Sequence, residues 1–165
     1  MFTVTPEGEI IYGLGAIKGL GEGPIEGILE AREQGGEFRN LFDFCARTDG
    51  GKINRRAIEA LIKAGAFDRL GVERAELMSS LEDAVLAAQQ KTENENSGID
   101  DMFGEPADSS GTETVSPGRR NVRPWTAKET LAGEKDTLGL WITGHPFDEY
   151  EAELRQFAPT KIADL

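Results

Sequence analysis

One cysteine, one histidine, two tryptophans and two tyrosines in 165 residues leave little material for several kinds of chemistry. Cys45 cannot close an internal disulfide by itself and lacks the spaced Cys and His partners of a zinc site. Among Phe42, Phe44 and Ala46 it reads as a small core residue of a cytoplasmic protein. His145, held between Gly144 and Pro146, is placed to order a turn rather than to carry a proton. No apolar run is long enough to cross a bilayer, and Met1-Phe2-Thr3-Val4 leads into polar residues, so neither a membrane span nor a signal peptide is expected. Positive charge is scarce: 18 Lys and Arg stand against 30 Asp and Glu, a net charge of -12. Spread evenly, that balance would repel nucleic-acid phosphates. It is not spread evenly, because Glu93, Glu95, Asp100, Asp101, Glu105, Asp108 and Glu113 follow one another with no Lys or Arg between them.

The hydrophobic share of 38% is low and glycine is abundant at 20 residues, which predicts that part of the chain stays outside any core. Residues 2–12 place β-prone side chains on both sides of Pro6-Glu7-Gly8-Glu9 and predict a short β-hairpin. From Pro24 to about Gln34, Ile25, Ile28, Leu29 and Arg32 recur at helical spacing until Gly35-Gly36 ends the pattern. Phe38, Leu41, Phe42 and Phe44 mark a short helix ending near Thr48. Asn54 is set to cap a third helix with an Ala57, Ile58, Leu61, Ile62 stripe, ending at Gly65, and a longer helix runs from about Glu73 to Gln90. Residues 91–123 lack apolar periodicity and predict a disordered acidic linker. Order is expected to return at Trp125, in a small α/β segment with a helix from Phe147 to about Phe157.

The strongest local motif is Ile17-Lys18-Gly19-Leu20-Gly21-Glu22-Gly23-Pro24-Ile25, a tight glycine turn that joins a short helix to a longer one. Such a turn aims backbone N–H groups from the positive end of a helix at a phosphate oxygen, and glycine lets the phosphate come close. Lys18, Gly19, Gly21 and Gly23 are therefore candidate DNA-backbone contacts, with Glu22 opposing them and Lys18 offsetting it. A second, less regular hairpin spans Lys63 to Gly71. Lys52, Arg55, Arg56 and Lys63 lie on or beside the helix entering it, either as a DNA-facing cluster or as a solvated face in which Arg55 pairs with Glu59. Within the linker, Ile99-Asp100-Asp101-Met102-Phe103 sets apolar residues where no core can take them, so they are candidate anchors in a partner's groove. No carboxylate arrangement resembles a two-metal site, and no catalytic or metal-ligating residue is assigned.

At Ile11-Tyr12-Gly13-Leu14-Gly15-Ala16-Ile17-Lys18-Gly19-Leu20-Gly21-Glu22-Gly23-Pro24-Ile25 the sequence resembles the bacterial DNA polymerase III alpha-subunit family. The likeness continues through Asn54-Arg55-Arg56, Leu61 to Asp68 and Leu138-Gly139-Leu140-Trp141-Ile142-Thr143-Gly144-His145-Pro146. It implies a mainly α fold: the end of the fingers over 1–14, a tandem helix-hairpin-helix DNA-binding domain over 15–91, an acidic linker over 92–123, and a segment over 124–165 leading into an oligonucleotide-binding domain. It further implies a non-catalytic segment whose partners are duplex DNA, a sliding clamp and the other holoenzyme subunits. Mg²⁺ would belong to palm aspartates of the parent enzyme, which have no counterpart in this stretch. The family's clamp-binding peptide ends in an apolar residue plus Phe, which Asp101-Met102-Phe103 fits, while Ile99 stands where Gln is usual. The competing reading is a helix-hairpin-helix module used for protein contacts alone. A self-contained nuclease would require metal-dependent activity from this chain.

Overall fold

The computed structural model describes residues 3–8, 10–48, 50–96 and 122–157. At the N-terminus Thr3–Val4 (β1) pairs antiparallel with Ile10–Ile11 (β2), Thr3 opposite Ile11, around the expected Pro-Gly turn. A 3₁₀ turn at Leu14–Ala16 leads through Ile17 and Leu20, both buried, into α1 (Glu22–Gly35). Helices α2 (Leu41–Arg47), α3 (Arg55–Lys63) and α4 (Arg74–Asn96) complete the N-terminal unit.

Each start has a local cause. Asn40 accepts the N–H of Asp43 at the head of α2, and Asn54 accepts that of Ala57 at the head of α3, which satisfies one otherwise orphaned donor in each. In α3 the apolar positions Ala57, Ile58, Leu61 and Ile62 all end up buried. They pack with Leu77 and Leu81 of α4 around Phe44, whose ring meets Phe38 and Phe67 edge-on at 4.9 and 5.0 Å. Full burial of a side chain such as Ile62 or Leu81 stabilises the unit by about 1.5–3 kcal/mol each. Cys45 joins this core, and burial pushes its thiol up to about 11, so it stays a protonated, unreactive filler.

Helix α4 runs past the expected end at Gln90 and takes in residues 91–96, the first part of the predicted linker. Lys91 to Asn96 contain no glycine or proline, and Thr92 Oγ1 donates back to the carbonyl of Ala88 at 3.1 Å, so nothing stops the helix there. Residues 97–121 of the predicted linker, including Ile99 to Phe103, lie outside the described residues.

In the C-terminal segment the described residues form helices and turns, with no strand among them: α5 (Ala127–Leu138), a 3₁₀ turn at Asp148–Tyr150, and α6 (Glu151–Phe157). The β-prone run Leu140-Trp141-Ile142-Thr143 does not join a ladder. Its Ile142 and Thr143 amides donate instead to the Glu134 carboxylate, at 2.7 and 3.1 Å. Helix α5 is started by a capping box, Thr126 Oγ1 accepting the Glu129 N–H while the Glu129 carboxylate takes the Thr126 N–H. It packs on α3, and Leu138 enters the same core as α2 to α4.

Candidate nucleic-acid interface

The glycine turn enters α1 at Gly21, with no side chain capping the helix. Gly19 adopts φ +84°, a left-handed conformation that lets Lys18 and Leu20 point apart, Lys18 to solvent and Leu20 into the core. Gly21, Glu22 and Gly23 are exposed. In the first turn of α1 the Glu22 and Gly23 amides have no carbonyl one turn back to bind, while Pro24 contributes no N–H. The turn thus offers two neighbouring donors, one fewer than a helix start without proline. Glu22 follows at once, and Glu26, Glu30 and Glu33 continue along the same exposed side of α1, so an approaching phosphate meets attraction only at the tip.

The candidate cations lead to different elements. Lys18 donates its backbone N–H to the carbonyl of Thr137 at 2.8 Å, and its side-chain end lies beside Gly139. Lys52 crosses the face of α1 at Gly27 and pairs with Glu30 at 3.3 Å, both ends solvated. Arg55 pairs with Glu59 at 3.2 Å, the solvated helix face that the sequence allowed. Arg56 is exposed, with no ion pair among the described residues. Lys63 is half-buried, its stem against Gly133 of α5.

Around the second hairpin the structure assembles a group that the sequence reading did not single out. Arg74, the first residue of α4, is 8% exposed, although a cation at a helix start opposes the helix dipole. Carboxylates compensate for it. Its Nε and Nη2 donate to both oxygens of Asp68 at 2.8 and 2.6 Å, and its Nη1 donates to Glu134 at 3.1 Å and to the Lys63 carbonyl at 3.2 Å. Glu134 is fully buried. Burial raises its carboxyl, but the N–H groups of Ile142 and Thr143 and the Arg74 guanidinium outweigh that and hold it below its ordinary value of 4.5. The Asp68 hydrogen bonds chiefly raise Arg74. The available signal was Leu131-x-x-Glu134-x-x-x-Leu138, a carboxylate on the apolar face of a capped helix.

An open cleft of about 840 Å³ lies between α5 and the loop after it, lined by Trp125, Leu131, Trp141, His145 and Tyr150. His145 orders this loop: its ring stacks on Phe147 at 5.4 Å, and its Nδ1 accepts the Phe147 N–H at 3.2 Å. Among the described residues no three His, Cys, Asp or Glu side chains converge to hold a metal ion, and no helix is long and apolar enough to cross a membrane.

A helix-hairpin-helix motif model matches residues 1–77. The chain is 50% identical to DNA polymerase III subunit alpha of Pseudomonas aeruginosa over 184 aligned positions, which take in 99% of the chain and 15% of that relative. It is 53% identical to the Escherichia coli K12 subunit, over 94% of the chain and 13% of the relative. The Vibrio cholerae subunit matches at 53%, over 98% of the chain and 14% of the relative. The chain thus spans 13–15% of the length of these curated relatives.

Proposed function

Because the chain belongs, as one short stretch, to the DNA polymerase III alpha-subunit family, we propose that it is a non-catalytic, DNA-holding segment of a replicative polymerase. The observation that carries this reading is the tip of the first hairpin, an exposed turn in which the first-turn amides of Glu22 and Gly23 bind no carbonyl and exposed Lys18 lies four residues ahead of Glu22. Two backbone donors and a lysine grip a phosphate without reading a base. Arg56 and Lys52 add solvated positive charge beside the second helix pair. The acidic side of α1 keeps the contact to the turn itself. In this reading Mg²⁺ and nucleotide chemistry belong to the parent polymerase, and no step is derived through a metal in this stretch.

The test uses the whole 165-residue chain and a labelled duplex at 50–200 mM salt. Affinity should fall as salt rises and be indifferent to sequence, and Lys18→Ala with Arg56→Ala should flatten the log–log salt slope by roughly one per contact removed. No binding at low salt, or salt-independent binding, overturns it.

The same reading places a sliding-clamp contact at Ile99, Asp101, Met102 and Phe103 and sets the segment among the other holoenzyme subunits of a cytoplasmic replication machine. Replacing Met102 and Phe103 together by Ala should abolish clamp capture, since two apolar anchors carry a short peptide's affinity. Unchanged capture would remove the docking role. A second reading, a module for protein contacts alone, is favoured by one observation: the exposed carboxylates of α1, with Leu29 exposed among them. Amide-shift mapping with a short duplex separates the two, because DNA contact perturbs Gly19 to Ile25 and a purely protein-binding module leaves them silent.

A further inference from the structure

We infer that α5 is a strut joining the two hairpins and that Glu134 is the positioning residue that locks it in place, an inference that rests on the DNA-holding reading for its consequence.

Helix α5 meets the second hairpin at one turn and the first hairpin at the next. At Gly133 its backbone lies against Lys63, a Cβ there standing 3.5 Å from the Lys63 Cβ and 3.6 Å from the Lys63 carbonyl oxygen. At Glu134 the carboxylate takes Arg74, which itself holds Asp68 and the Lys63 carbonyl. Those three residues define the end of α3, the turn and the start of α4. Three to five residues further on, the Thr137 carbonyl receives the Lys18 N–H, and the Leu138 carbonyl receives the Tyr12 hydroxyl at 3.3 Å. At about 1.5 Å per residue the two sets of contacts are only ~5–8 Å apart along the helix. One rigid element therefore fixes the first turn relative to the second.

Glu134 decides whether that element stays docked. Each of its oxygens is occupied, one by Arg74 and the other by the amides of Ile142 and Thr143, so it also folds the following loop back onto the helix. The buried Arg74 needs it in turn. Without a carboxylate there, a guanidinium at a helix start would keep Asp68 as its one anionic partner. The separation of 60 positions between Arg74 and Glu134 in sequence makes this a tertiary lock, distinct from the turn chemistry of either hairpin.

The experiment follows amide hydrogen exchange and duplex affinity in the whole chain, for Glu134→Gln and, as an independent variant that leaves the charges alone, Gly133→Val. Both should speed exchange at Lys18, Ile142 and Thr143 by on the order of tenfold or more while the core amides around Phe44 and Leu81 keep their protection. Duplex affinity should fall in both variants although Lys18 and the glycine turn are intact. Unchanged exchange at Lys18 overturns the strut, as does equal loss at the core amides in both variants, which would make α5 an ordinary part of one cooperative fold. Faster exchange with unchanged duplex affinity overturns the positioning role. If the parent chain itself binds no duplex, the DNA-holding reading fails, and the exchange data alone still decide the strut.

Discussion

At Gly65 the backbone turns with φ +79°, and an added Cβ would overlap the Arg74 guanidinium and lie 2.7 Å from Asp68 Oδ2. Gly19 has nearly the same backbone, φ +84°, but nothing within 4 Å of an added Cβ. The two glycines therefore separate backbone strain from crowding. Gly19→Ala should cost about 1–2 kcal/mol, the left-handed penalty of a non-glycine residue. Gly65→Ala should cost more, because it also displaces a buried guanidinium from its bonds to Asp68 and Glu134. Urea unfolding at constant slope reads the difference as a lower midpoint for Gly65→Ala than for Gly19→Ala. Coincident midpoints would mean that Arg74 and Asp68 re-form their pair around the methyl without loss. The Arg74 site is not legible in the sequence, because nothing near Arg74 in the chain announces Glu134, and only folding brings them together.

Among the elements, those with a strong local cause were legible from sequence. Asn54 before Ala57-Ile58-x-x-Leu61-Ile62 is enough to place α3 and its buried face, because cap and stripe agree. The β-hairpin about Pro6 and Gly8, α2, and α1 up to Gly35 follow for the same reason. Two elements were less legible, each for a physical cause. The end of α4 depends on the absence of a breaker before Gly98, and a polar composition that suits a linker suits an exposed helix equally well. Helix α5 carries a complete capping box, yet Glu134 interrupts its apolar face, and a buried carboxylate reads as solvent until its partner 60 residues away is known. The candidate interface divides along the same line. The glycine turn and the Arg55–Glu59 pair are local and lie where the sequence put them, whereas the surroundings of Lys52, Lys63 and Lys18 follow from Glu30, Gly133 and Gly139, all remote in sequence.

For the molecule as a whole, acid should act first on the C-terminal segment. The carboxyl of Glu134 sits below 4.5 when folded, so its contribution to stability is complete above that value and is lost as pH falls through the lower, folded one. Glu129 shifts in the same direction, held down first by the Thr126 N–H of the capping box, so protonating it below its ordinary value weakens α5 as well. Arg74 and Asp68 face this site, and Arg74 keeps its charge throughout, which leaves a buried cation short of one anion once Glu134 is protonated. The α2 to α4 core depends on apolar contacts around Phe44 and has no such buried carboxylate among its described residues. The chain's two tryptophans, Trp125 and Trp141, both lie in the C-terminal segment, so their emission reports its docking while far-UV ellipticity is dominated by the longer helices of the core. On acidification below pH 4.5 the tryptophan signal should change before the ellipticity falls, and Glu134→Gln should already show the acid-like emission at neutral pH. Coincident transitions, or a Glu134→Gln emission equal to that of the parent chain at pH 7, would show that the segment is not held by this carboxylate.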